Sequence, residues 1–128
     1  MATSPGGFLS LADTAARIVS GEDVLHAVRD FLDQVDRCGT VQLGALIAER
    51  PDDTGDTRAD ALLAGIAEHI AATRAVRCPV WVHEPGRFLE RFWFVSDVVG
   101  FRAVAIAQTP MALKRRGIFW PARSLERV

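Results

Sequence analysis

Tyrosine is absent from the 128 residues, and cysteine and methionine occur only twice each. Two cysteines, Cys38 and Cys78, exclude a disulfide-stapled scaffold, and they form neither a C-x-x-C pair nor a zinc spacing. They read as two small buried thiols in a reducing compartment. Net charge is only −1, so no global field draws the chain to nucleic acid or to an acidic membrane. No apolar run approaches the roughly 18 residues needed to cross a bilayer. The start, residues 1–7, is small and polar and lacks the basic and apolar stretches of a secretory signal. These absences predict a cytoplasmic protein. Also missing are G-x-G-x-x-G, a Walker A loop, G-x-S-x-G and H-E-x-x-H. Nothing in the residues therefore names a reaction, a cofactor or a metal, although an enzyme is not excluded.

What is present is the composition of an ordinary globular domain, 49% hydrophobic and 24% charged. The length fits one domain, 1–128, with 1–50 as N-terminal helices and 57–128 as a C-terminal helical region. The acidic loop at 51–56 is the only plausible seam. Its acids do not alternate and no glutamate closes it, so it is not a calcium loop. Charge is unevenly spread. Residues 1–70 carry five arginines against twelve acids, net −7, and residues 71–128 carry ten basic residues against four acids, net +6. The simplest expectation is that the two parts attract each other within one fold; the alternative is a basic C-terminal surface for an acidic partner.

Three hydroxyl-to-acid spacings, Ser10 to Asp13, Ser20 to Asp23 and Thr57 to Asp60, predict helix N-termini closed by capping boxes. A short helix ends near Ser20. A second spans about 22–37, with Val24, Leu25, Val28, Phe31, Leu32 and Val35 on one stripe. A third runs 41–49 and a fourth 58–73, where Leu62, Leu63, Ile66 and Ile70 form the stripe. Pro79 opens an extended stretch at 80–82, and Pro85 begins a helix to about Phe94. A turn at 96–100 leads to a helix at 101–108. Thr109-Pro110 opens a short helix that stops at Gly117, and 117–120 is extended. The fold class is thus all-α, a single-domain helical bundle with at most short β segments near 80–82 and 117–120. Phe31, Leu32, Leu62, Ile66, Ile70 and Phe88 are the expected core.

Aromatics crowd the C-terminal part. Only Phe8 and Phe31 precede residue 80, whereas Trp81, Phe88, Phe92, Trp93, Phe94, Phe101, Phe119 and Trp120 follow it. On a helix, Phe92-Trp93-Phe94 would cover more than half the circumference, so at least one must face a partner or a pocket. Arg87 and Arg91 share that predicted helix, and Lys114-Arg115-Arg116 ends another, where positive charge complements the helix dipole. His26, His69 and His83 lie apart and suggest structural roles. A helix-turn-helix at 22–49 would offer Gln42 as its one polar reader before Glu49 and Arg50, a poor recognition helix.

As strings, the stretch from Asp56 to His69, Pro79-Val80-Trp81, the stretch from Arg87 to Phe94, and Arg115-Arg116-Gly117-Ile118-Phe119 carry a resemblance. Residues 56–128 resemble a helical family of actinobacterial proteins. Some of its members look like antitoxin components beside nucleotidyltransferase-type toxins, and some carry a separate DNA-binding helix-turn-helix. The present chain departs from the latter by lacking a basic helix-turn-helix, which makes protein binding the simpler role. The resemblance implies a non-enzymatic, antitoxin-like domain that neutralises or regulates a protein partner, possible toxins of the nucleotidyltransferase type included, without cofactor or metal. The candidate interface comprises Arg87, Arg91, Trp93, Lys114, Arg115, Arg116, Phe119 and Trp120. A DNA-binding transcriptional regulator and a small enzyme of unknown reaction are the alternatives.

Overall fold

In the computed structural model, which describes residues 7–96 and 101–125, Ser10 caps the first helix, α1 (Leu11–Val19), as its spacing predicts. The Ser10 hydroxyl accepts from the Asp13 N–H at 2.9 Å, and the Asp13 carboxylate accepts from the Ser10 N–H at 3.0 Å. The other two boxes are replaced by simpler caps. Asp23 itself caps α2 (Val24–Val35) by accepting from the His26 N–H, and Ser20 ends α1 instead. Gly21, at φ +111°, makes the reversal between them. Asp56 caps α4 (Thr57–Thr73), which places Thr57 inside the helix. Asp60 turns back to accept from the Thr54 N–H and hydroxyl. At α4 the aspartate one residue before the expected hydroxyl takes the cap, and at α2 the cap falls on the aspartate that ends the expected box. Between them, α3 (Thr40–Ala48) starts with the Gln42 carboxamide accepting from the Gly39 N–H at 3.0 Å.

Helix α4 is the centre of the fold. Residues 59–67 are all buried, so the burial wraps the helix and is wider than the predicted stripe. The small residues Ala59, Ala61, Ala64, Gly65 and Ala67 let neighbours approach on every side. α1, α3, two 3-10 turns (Val80–His83 and Pro85–Arg87) and α6 (Met111–Lys114) all pack on it. One apolar core runs from Leu11 to Leu125, consistent with a single domain. Gly65 marks the closest approach: a Cβ there would lie 2.3 Å from Cδ2 of the fully buried Leu113. Gly65→Ala is therefore expected to cost about 1–3 kcal/mol of overpacking, offset by about 1 kcal/mol of helix propensity. Adding Leu113→Ala should relieve that clash, so denaturant unfolding of the double variant should show a smaller loss than the two single losses added. Strict additivity would mean that the two residues do not meet.

The remaining elements are β1 (Trp93–Phe94), α5 (Arg102–Gln108), β2 (Ile118–Phe119) and α7 (Ala122–Leu125). The fold is mostly helical with short β segments, as expected, but two local assignments change. Residues 80–82 belong to a 3-10 turn and are not extended. The predicted helix at 85–94 stops after one 3-10 turn, because Phe88 is already extended at φ −124° and ψ 132°. The chain then runs beside 116–119: the Leu89, Trp93 and Val95 N–H groups donate to the Arg116, Gly117 and Phe119 carbonyls. β1 and β2 pair in parallel, Trp93 opposite Ile118 and Phe94 opposite Phe119. Gly117, at φ +83°, makes the turn that brings β2 into register. The predicted turn at 96–100 lies, beyond Ser96, outside the described residues, as does the polar start before Gly7.

The charge asymmetry is partly answered within the fold. Arg74 meets Asp36 at 2.5 Å and Arg115 meets Glu68 at 3.2 Å, and Arg116 also pairs with Glu68. The loop at 51–56 is no seam. Pro51 is buried, and its carbonyl accepts from Arg87 at 2.9 Å. No helix among the described residues is long and apolar enough to cross a membrane.

Candidate functional site

Four of the eight expected interface residues are buried. Arg87 is 1% exposed and Arg116 is fully buried. The Arg87 guanidinium stacks 4.9 Å from the Trp81 ring and donates to the Asp60 and Pro51 carbonyls. Arg116 donates to Glu68 and to the Ala112 and Val82 carbonyls, and its guanidinium lies 4.6 Å from the Phe88 ring. Both arginines are internal pins that tie carbonyls of α4 and of the elements around it together. Burial lowers the Arg116 pKa, against the opposing pull of Glu68. Because Arg116 points inward, 114–116 is not a surface run of three charges at a helix end. Phe88, expected in the core, is half-buried beneath Arg115 and Arg116. Phe119 and Trp120 are buried because β2 lies against the core.

Arg91 and Arg115 are exposed, and Trp93 and Lys114 are half-buried. Arg91 lines a groove of about 510 Å³ with Arg58 and Glu90. Arg58 sits 5.3 Å from the Trp93 ring. Of the run Phe92-Trp93-Phe94, the residue that faces solvent is Phe92, at 73% exposure. The segment is not a helix, and Trp93, the member placed in the candidate interface, is half-buried. Phe92 meets Phe119 edge-on at 5.3 Å, Phe94 stacks on Phe119 at 4.8 Å, and the Arg102 guanidinium lies 5.2 Å from the Phe94 ring. This row leads from the exposed edge of β1 to α5.

Helix α5 holds the apolar surface that sequence reasoning missed. Arg102 and Gln108 are its only polar residues, and only Ala105 is buried. Ala103, Val104, Ile106 and Ala107 face solvent. Phe101 before the helix is 56% exposed, Ile106 is 50% exposed, and Met111 at the start of α6 is 69% exposed. Thr109 closes α5 by donating its hydroxyl to the Ala105 carbonyl, and Pro110 stops it and starts α6. The signal was available: a seven-residue helix that is apolar on nearly every side should be buried, and 101–108 has no polar face with which to meet water.

Other chemistry finds little support here. Burial pushes both cysteine thiols upward in pKa. Among the described residues no group of three or more His, Cys, Asp or Glu side chains is placed to hold a metal ion. Gln42, the one polar reader of the possible recognition helix, is engaged as that helix's own cap. Compared with known proteins, the chain matches no family, no curated protein and no solved structure.

Proposed function

We propose that the protein works by binding another protein, through a surface formed by α5, the start of α6 and the exposed edge at Phe92. The observation that carries this reading is the apolar helix α5 with all but Ala105 facing solvent. Contiguous exposed apolar surface of this kind is a feature of partner-binding faces. Of the residues expected at the interface, Arg91, Trp93, Lys114 and Arg115 remain accessible. The resemblance of residues 56–128 to antitoxin-like proteins supports neutralisation of a partner, with a nucleotidyltransferase-type toxin as the leading form. The test is a binding titration with the product of the neighbouring gene, comparing wild type with Ile106→Asp and Met111→Asp. Both side chains are exposed, so the variants should keep the wild-type circular dichroism spectrum while losing affinity. Folded variants with wild-type affinity would place the interface elsewhere.

A further inference from the structure

We propose that the groove between α5 and the C-terminal turn receives an acidic, apolar segment of the protein partner. This inference rests on the protein-binding reading and adds the chemistry of what is bound. The groove has a volume of about 600 Å³, and its lining includes Arg29 of α2, Arg102 of α5 and Arg123 of α7, with Phe94, Phe101 and Val104 among its apolar walls.

Several arginines elsewhere in the fold are committed to acids of the chain itself. Arg17 forks to Glu22 and reaches Asp30, and Arg50 holds Glu84 and Asp53. Arg74 holds Asp36, and Arg115 and Arg116 share Glu68. Among the described residues, no carboxylate lies within ion-pair distance of Arg29, Arg102 or Arg123, and no acidic side chain lines their groove. Three elements thus bring positive charge to one hollow, with no carboxylate among its described lining residues. The groove beside Arg58 and Arg91 differs, because Glu90 lines it too and gives it mixed sign.

The packing of Arg102 suits a carboxylate. Its guanidinium lies near the Phe94 ring at 5.2 Å, and a stacked guanidinium keeps its N–H edge available for a bidentate bond. The aromatic and aliphatic walls call for an apolar group beside the acid. A protein segment is favoured over a small anion because Phe101 and Val104 belong both to the groove wall and to the exposed surface around α5. The groove therefore opens onto the face that the partner covers.

The experiment is to pan a random phage-displayed peptide library against the full chain. Synthetic copies of the enriched peptides are then measured by fluorescence anisotropy. Enriched sequences are expected to combine Asp or Glu with Phe, Trp or Leu. Their affinity should fall about tenfold or more in Arg29→Glu/Arg123→Glu and in Arg102→Glu, and should weaken with added salt. Arg77→Glu, a reversal at an exposed site outside the groove, should leave it unchanged. Circular dichroism checks that each variant is folded, and the Arg29/Arg123 double variant decides the matter if Arg102→Glu is not. Peptides without acidic bias, affinities indifferent to the groove reversals, or no enrichment over the reversed protein would overturn the proposal. So would inorganic phosphate binding at the groove while no peptide does. If the neighbouring gene product loses affinity with Ile106→Asp but not with the groove reversals, the groove proposal fails and the protein-binding reading stands.

Discussion

Replacing Arg116 with alanine is expected to lower stability by about 3–5 kcal/mol, a large share of the roughly 5–15 kcal/mol that holds a domain of this size folded. The guanidinium is fully buried and donates to the Ala112 and Val82 carbonyls as well as to Glu68. Alanine would leave those carbonyls without a donor in a dry place, and an unmade buried hydrogen bond costs more than a made one contributes. It would also remove the cation above the Phe88 ring and open a cavity between α6 and the Val80–His83 turn. Glu68 is the partner best able to tolerate the loss, because Arg115 still meets it at 3.2 Å and its side chain is 19% exposed. Arg116→Lys should give an intermediate loss: the charge remains, but a single ammonium cannot reproduce the spread of the guanidinium N–H groups. Chemical denaturation checks both. An alanine variant within about 1 kcal/mol of wild type would show that Arg116 does not pin the fold.

Aspartate at both Ile106 and Met111 is expected to weaken partner binding by roughly two orders of magnitude or more, equivalent to about 2.7 kcal/mol. Ile106 is 50% exposed and Met111 is 69% exposed, so neither contributes much to the core in the free protein. In the complex each carboxylate would have to be stripped of water against an apolar surface, which adds a desolvation cost to the lost contact. The stability of the free protein should change by no more than about 0.5 kcal/mol, as for ordinary surface substitutions. That separation between binding and folding distinguishes an interface residue from a core residue. Leu113 is the contrast: it is fully buried two residues from Met111, and its truncation should unfold before it informs on binding.

Much of the helical framework was legible because its signals are local. Apolar spacing located α2, α3 and α4 within a residue or two at most ends, and proline and glycine punctuated α5, α6 and β2. Which side chain caps a helix was less legible, since aspartate is as good a cap as serine or threonine and takes the role at Asp23 and Asp56. The segment after Arg87 failed for a non-local reason. Its backbone partners lie at 116–119, and spacing within 85–94 carries no sign of them. The buried arginines failed for a chemical one: arginine is usually exposed, and only the carbonyls gathered around Arg87 and Arg116 explain why these two are inside. The candidate surface was therefore half visible. Arg91, Trp93, Lys114 and Arg115 are accessible, whereas the apolar part of the surface lies on α5, where the sequence reading places a helix but no surface role.

The central claim is that α5 and the residues beside it form the contact surface for a protein partner. Amide hydrogen exchange, compared between the free protein and its complex with the neighbouring gene product, tests it most directly. The claim predicts slowed exchange in α5 and at the start of α6, over 102–114, together with the segment around Phe92. Slowed exchange confined to α1–α3, with α5 exchanging as fast in the complex as in the free protein, would contradict it.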